Sequence, residues 1–170
     1  MTSKVRGGNL RKGGVSVPSA DENRELTSTL HLGLRSVVGN SPVDLISELI
    51  SQSSEQEGAI IKSVLSSDGN SAMVVIYRGA QKGARFLVTG EGATIGRSPE
   101  SSIFLDDVTV SRKHATISKE GTSFVFKDSG SLNGSYVNNE SVTEKRLKSG
   151  DEIQIGKFHL LFIGSQLGEK

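Results

Sequence analysis

Ser111, Arg112, Lys113 and His114 put a hydroxyl, a guanidinium, an ammonium and an imidazole on consecutive residues. The surrounding stretch, Val108-Thr109-Val110-Ser111-Arg112-Lys113-His114, holds no carboxylate. It has donors to offer and suits an anion with several acceptor oxygens, of which phosphate is the obvious case. Two polar, glycine-marked segments belong beside it: Gly96-Arg97-Ser98 before it and Ser131-Leu132-Asn133-Gly134-Ser135 after it. Arg97 brings a guanidinium from a loop that Gly96 allows to turn. Ser111 brings a hydroxyl and a backbone N–H on a short side chain that lets a phosphate come close. The Asn133 amide has both donor and acceptor and can grip a peptide backbone, while Gly134 serves the turn. Taken singly, Ser111 is an ordinary turn residue and Arg97 an ordinary surface arginine. Only the three blocks together point to phosphate.

These blocks lie between short β-branched and aromatic runs. The runs are 73–77, 84–88, 93–95, 102–105, 115–117, 123–126, 135–137, 152–155 and 158–163. Turn signals separate them, among them Arg78-Gly79, Glu120-Gly121, Asn133-Gly134 and Gly156-Lys157. Short strands at a spacing near ten residues, without long helical patterns, predict an all-β sandwich of about 10–11 strands. Its domain spans 73–165, with a C-terminal tail over 166–170.

Residues 1–72 read as a flexible regulatory tail. They contain no aromatic residue, and Ser, Gly, Asn and charged residues dominate. Such a segment buries too little apolar surface to offset its conformational entropy. Within it Ser41, Pro42 and Asp44 make a helix start, and Val43, Ile46, Leu49 and Ile50 recur at helical spacing, predicting a short amphipathic helix over 41–52. Net charge is +1, from 20 Lys and Arg against 19 Asp and Glu, which provides no field to steer the chain onto nucleic acid or an anionic membrane. Cys is absent, so disulfides and thiolate sites are excluded. Three scattered His residues suggest no metal, and no cofactor motif is present. No apolar run approaches the ~20 residues of a membrane span. The N-terminus lacks an apolar signal core, so a cytoplasmic location is expected.

The ordered blocks Gly96-Arg97, Ser111-Arg112-Lys113-His114 and Asp128 to Asn138 resemble the forkhead-associated (FHA) domain family over roughly 73–165. That resemblance implies a β-sandwich that binds phosphothreonine peptides through loops at one end and is not an enzyme. It makes Ser111 the central phosphate ligand, Arg112 a further contact, and His114 a structural residue that orders the binding loop. Leu132 stands where some members carry a polar residue, and Ser131 substitutes for it. The stretches 102–112 and 150–158 also look like the actinobacterial 2-oxoglutarate dehydrogenase inhibitor group (OdhI/GarA-like). Those proteins carry a Glu-Thr-Thr-Ser kinase motif in a flexible tail. Here Glu25-Leu26-Thr27-Ser28 corresponds, with Leu26 in place of the first Thr and Thr27 as the phosphorylation site.

The resemblance implies a switch. A Ser/Thr kinase phosphorylates Thr27, adding about −1.5 to −2 charge and three acceptor oxygens. The tail then binds its own FHA domain and ends inhibition of 2-oxoglutarate dehydrogenase-type and glutamate-metabolism enzymes. Thr27 to Met73 is 46 residue steps (73 − 27). A flexible linker of that length spans ~35–40 Å, at an effective concentration of about a millimolar or somewhat below. A monomer is expected. The alternative is a generic phosphopeptide adaptor with the tail as a linker, in which Thr27 is silent. An enzyme is disfavoured: Gly92 to Ser98 falls one residue short of a P-loop, with Arg for Lys. Near-neutral charge and scarce aromatics count against a nucleic-acid binder.

Overall fold

The computed structural model describes residues 41–166. Two helices, α1 (Pro42–Gln52) and α2 (Glu55–Leu65), precede eleven strands. The strands are β1 (Ala72–Arg78), β2 (Arg85–Val88), β3 (Ala93–Gly96), β4 (Ile103–Phe104), β5 (Ala115–Glu120) and β6 (Ser123–Asp128). They continue with β7 (Ser135–Val137), β8 (Glu140–Val142), β9 (Glu144–Leu147), β10 (Glu152–Ile155) and β11 (Phe158–Ile163). They form two sheets, one ordered β2-β1-β11-β10-β7-β8 and the other β4-β3-β5-β6-β9. All pairs are antiparallel except β3 with β4.

Period-2 alternation sorts side chains between the two faces of the six-stranded sheet. Val74 and Ile76 of β1 and Phe158, Leu160 and Phe162 of β11 face the other sheet. There they meet Ile95, Ile117 and Phe126 in the sandwich core. The alternate residues Met73 and Val75 of β1 and Leu161 and Ile163 of β11 point the other way. They pack against Ile46 of α1 and Ile61 and Val64 of α2. The run Met73 to Ile76 is therefore buried throughout rather than alternating, as expected of a strand covered on both faces.

The helix expected over 41–52 is observed as α1. The second helix is a departure from the expectation of a tail reaching residue 72. Ser54 and Glu57 form a capping box: the Glu57 N–H donates to Ser54 Oγ at 3.4 Å and the Ser54 N–H to Glu57 Oε2 at 2.9 Å. Arg85 of β2 ties this turn to the sheet. Its guanidinium pairs with Glu57 and donates to Ser53 Oγ at 2.9 Å. An eleven-residue helix is marginal alone. The apolar outer face of β1 and β11 makes it worthwhile. Residues 42–65 are thus built into the folded unit. The remainder of the expected tail, with Thr27, lies outside the described residues.

Strands β8 and β9 were also not expected. Their sequence, Glu140 to Leu147, is mostly polar and exposed, so no apolar alternation marks it. Asn138 and Asn139 both have positive φ, 52° and 66°, which is the two-residue hairpin conformation joining β7 to β8. Among the described residues no helix is long and apolar enough to cross a membrane.

Candidate functional site

Four connections converge at one end of the sandwich: the loops after β3, β4 and β6 and the tight turn between β10 and β11. The first two meet through backbone bonds. The Arg97 N–H donates to the Ser111 carbonyl at 3.0 Å and the Ser98 N–H to the Arg112 carbonyl at 3.1 Å. Gly96 is required by this approach. A Cβ there would lie 2.1 Å from the Arg112 carbonyl oxygen. Arg97 is partly buried, and its Nε has no hydrogen-bond partner among the described residues. That nitrogen is itself buried from solvent.

His114 joins the second loop to the third. Its side chain is fully buried, at 0% exposure. The Ser111 N–H donates to Nδ1 at 3.1 Å, so Nδ1 carries no proton. The other nitrogen, Nε2, must then be the N–H, and it meets the Gly134 carbonyl at 3.1 Å. Burial pushes the imidazole below its usual range, while the Gly134 bond and the Asp128 carboxylate pull the other way. Both ring nitrogens are engaged by backbone groups, and Asp128 Oδ2 lies 3.9 Å from Nε2. The ring is a brace rather than a base.

Two more bonds close the loops on each other. The Leu132 N–H donates to Ser111 Oγ at 3.0 Å. The Asn133 amide donates to the Thr109 carbonyl at 3.0 Å, leaving its carbonyl oxygen and second N–H. The Ser111 hydroxyl accepts the Leu132 bond and keeps its own proton to give. Arg112, Leu132 and Asn133 are exposed, and Ser111 is half-buried.

Ser131 stands differently from the sequence expectation. Its hydroxyl donates to Asp128 Oδ2 at 2.6 Å, and its N–H to Oδ1 at 2.8 Å. The proton it could have given to a phosphate is committed to folding the loop.

Sequence reasoning missed the residues that hold these loops. Asp128 accepts from the Gly130 N–H, from the Ser131 N–H and hydroxyl, and from the Ser135 hydroxyl. Burial raises its carboxyl, but those bonds outweigh it and hold the group below the usual carboxylate range. Asp107 does the same for the second loop, accepting the Thr109 N–H at 2.8 Å and hydroxyl at 2.6 Å. The Thr109 hydroxyl in turn receives the Lys157 N–H at 3.2 Å. A Cβ at Gly156 would lie 2.2 Å from that hydroxyl, so the β10–β11 turn abuts the second loop. Asp-x-Thr and Asp-x-Gly-Ser are side-chain-to-backbone turn patterns, and that signal was available in the sequence.

This arrangement can hold an anion against a half-buried hydroxyl, a guanidinium and an asparagine amide at a rim of fixed loops. Comparison with known proteins agrees with it. A family model described as the FHA domain matches residues 93–156. An oxoglutarate dehydrogenase inhibitor of Corynebacterium jeikeium is 47% identical over 120 residues, covering 71% of this chain and 82% of its own. The glycogen accumulation regulator GarA of Mycolicibacterium smegmatis is 45% identical over 120 residues, covering 71% and 76%. An oxoglutarate dehydrogenase inhibitor of Corynebacterium diphtheriae is 57% identical over 91 residues, 54% of this chain and 64% of its own, so the chain spans just under two thirds of that relative.

Among solved structures, an FHA domain analysed for phosphothreonine-dependent interactions superposes at TM-score 0.50 with 29% identity. The match covers 54% of this chain and 94% of that one. Mycobacterium tuberculosis EmbR in complex with a low-affinity phosphopeptide superposes at TM-score 0.52 with 27% identity, over 68% of this chain and 32% of that one. The protein carries an FHA phosphothreonine-binding domain and is a regulator rather than an enzyme. It belongs to the FHA domain family, in the group of the oxoglutarate dehydrogenase inhibitors and GarA.

Proposed function

We propose that this protein is a kinase-controlled inhibitor of oxoglutarate dehydrogenase-type and glutamate-metabolism enzymes in the cytoplasm, acting as a monomer. Thr27 is the residue that a Ser/Thr kinase modifies. Its phosphate is taken by the Arg97 guanidinium, the Ser111 hydroxyl and the exposed Arg112, and Asn133 grips the adjoining backbone. Each charge-assisted bond adds about 1.5–3 kcal/mol. The bound tail then occupies the loops that target enzymes need, and inhibition ends. The observation that carries this reading is the brace through His114, which holds Ser111 against the third loop with its hydroxyl proton still to give. The names of the relatives, oxoglutarate dehydrogenase inhibitor and GarA, support the metabolic role.

The fold shortens the tether. With α1 starting at Pro42, Thr27 is 15 residue steps from the folded unit (42 − 27), not 46. Pro42 abuts Gly150, whose N–H bonds the Phe162 carbonyl near the C-terminal end of β11. The phosphate loops lie at the other end, beside the turn that starts β11. Seven-residue β1 spans ~23 Å of that distance, and the loops bring the total to roughly 30 Å. Fifteen residue steps stretch to at most ~50 Å. Self-binding is therefore within reach of the chain's length.

The test is a comparison of backbone amide NMR shifts in the full chain before and after kinase treatment. Shifts at Arg97, Ser111 and Asn133 that vanish in Thr27→Ala are expected. Shifts confined to the tail would refute the self-binding switch and favour an adaptor that binds phosphorylated partners.

A further inference from the structure

At the end of the sandwich away from the phosphate loops, the two sheets part around a cavity of about 270 Å³. Four pieces of chain ring it: the connection from α2 to β1, the β5–β6 turn, the connection from β9 to β10, and the residues after β11. Its floor is apolar. Phe124, Leu147 and Phe162 line it, with the two rings 5.9 Å apart and inclined at 58°. All three belong to the sandwich core. Its rim is polar, and Asp68 and Lys148 are the ionisable side chains on it.

Those two charges stand on fixed backbone and are unpaired. A Cβ at Gly69 would lie 2.7 Å from the Thr122 carbonyl oxygen, so the chain beside Asp68 is pressed against the β5–β6 turn. The Lys148 N–H donates to Asp151 Oδ2 at 2.8 Å, which holds the backbone that carries the ammonium. Among the described residues, the Asp68 carboxylate and the Lys148 ammonium make no hydrogen bond or ion pair, with each other or elsewhere. The Thr122 and Ser123 hydroxyls on the same rim are likewise without a partner among the described residues.

We infer that this cavity binds a small zwitterion with an apolar side chain, namely an aliphatic or aromatic α-amino acid. A carboxylate and an ammonium held apart above an apolar floor offer three different contacts at once. The ligand's ammonium meets Asp68. Its carboxylate meets Lys148 and the Thr122 and Ser123 hydroxyls, and its side chain lies on Phe124, Leu147 and Phe162. The volume falls just below the ~300 Å³ where sites for drug-sized molecules begin, so the occupant is smaller than those. The floor holds no counter-charge for an acidic or basic side chain, whose burial there would be costly. The site shares no residue with the phosphate loops, so the inference stands apart from the phosphopeptide reading.

The test is a titration of the full chain followed by backbone amide NMR. The probes are L-leucine, L-phenylalanine, L-glutamate and N-acetyl-leucine amide, in which both charges are masked. Saturable shifts at Gly69, Thr122, Lys148 and Gly164 are expected with leucine or phenylalanine, at a Kd of about a millimolar, and not with the other two. Asp68→Asn and Lys148→Gln are each expected to weaken binding about five-fold, the scale of an exposed ion pair. Both side chains are exposed, so the variants keep the fold. The absence of saturable shifts with both leucine and phenylalanine overturns the inference. Equal binding of leucine and N-acetyl-leucine amide overturns the zwitterion, since the rim charges would then select nothing. Binding unchanged in both variants, or shifts centred on Ser111 and Asn133, overturns the site.

Discussion

Replacing His114 by Ala tests whether the site depends on a brace. The change removes both ring nitrogens at once. The Ser111 N–H loses its 3.1 Å acceptor and the Gly134 carbonyl loses its 3.1 Å donor. Leaving a buried polar group unpaired costs about 1–3 kcal/mol. Two such groups, together with the void left by a fully buried ring, sum to roughly 3–6 kcal/mol. Water entering from the loop end favours the lower part of that range. Urea unfolding of the full chain should therefore show a loss of about 3 kcal/mol or more. Binding of a phosphothreonine peptide should weaken more than ten-fold where the variant is still folded.

The same geometry sets a pH dependence. Protonation of Nδ1 would put a hydrogen where the Ser111 N–H now points. The folded-state pKa is depressed, chiefly by burial. The stability this residue contributes is accordingly present above the unfolded value of about 6.5. It is lost as pH falls through that value towards the folded one. His114→Ala should flatten this part of the wild-type stability profile below about pH 6.5. A stability loss under about 1 kcal/mol, with unchanged pH dependence and peptide affinity, would refute the brace.

Three further outcomes follow from the packing. Gly96→Ala drives a Cβ into the Arg112 carbonyl at 2.1 Å. It should cost about 1–3 kcal/mol in denaturant unfolding and shift the amides of Ser98 and Ser111. Arg85→Ala removes the link from β2 to Ser53 and Glu57, so amide exchange should accelerate in α2 with protection unchanged in β5 and β6; equal acceleration everywhere would contradict a local link. Deleting residues 33–40 leaves 7 residue steps between Thr27 and Pro42 (15 − 8), at most ~25 Å when extended. Self-binding after phosphorylation should then vanish or become dependent on protein concentration in NMR titration.

The local parts of this protein were legible in its residues. Strands β1, β3, β5, β6, β7, β10 and β11 announce themselves through β-branched and aromatic runs bounded by glycine turns. The Pro42 helix shows its start residues and apolar spacing. Segments whose stability comes from elsewhere were not legible. Helix α2 carries only Gly58, Ile61 and Val64 as buried residues, and it forms because Met73, Val75, Leu161 and Ile163 offer it a face. Strands β8 and β9 are polar and exist because β7 and β6 provide their hydrogen-bond partners.

The same division runs through the site. Residue types at 96–97, 111–114 and 131–134 determine that phosphate chemistry is available, because hydroxyl, guanidinium and amide are properties of side chains. Tertiary structure decides which of those groups are free to act. It commits the Ser131 proton to Asp128 and turns His114 into a link between loops. It also folds residues 42–65 onto the sheet, where residue types alone suggested a tail. Sequence fixes the inventory of donors. The bonds among residues far apart in the chain decide how each donor is spent, since a hydrogen bond depends on position in space.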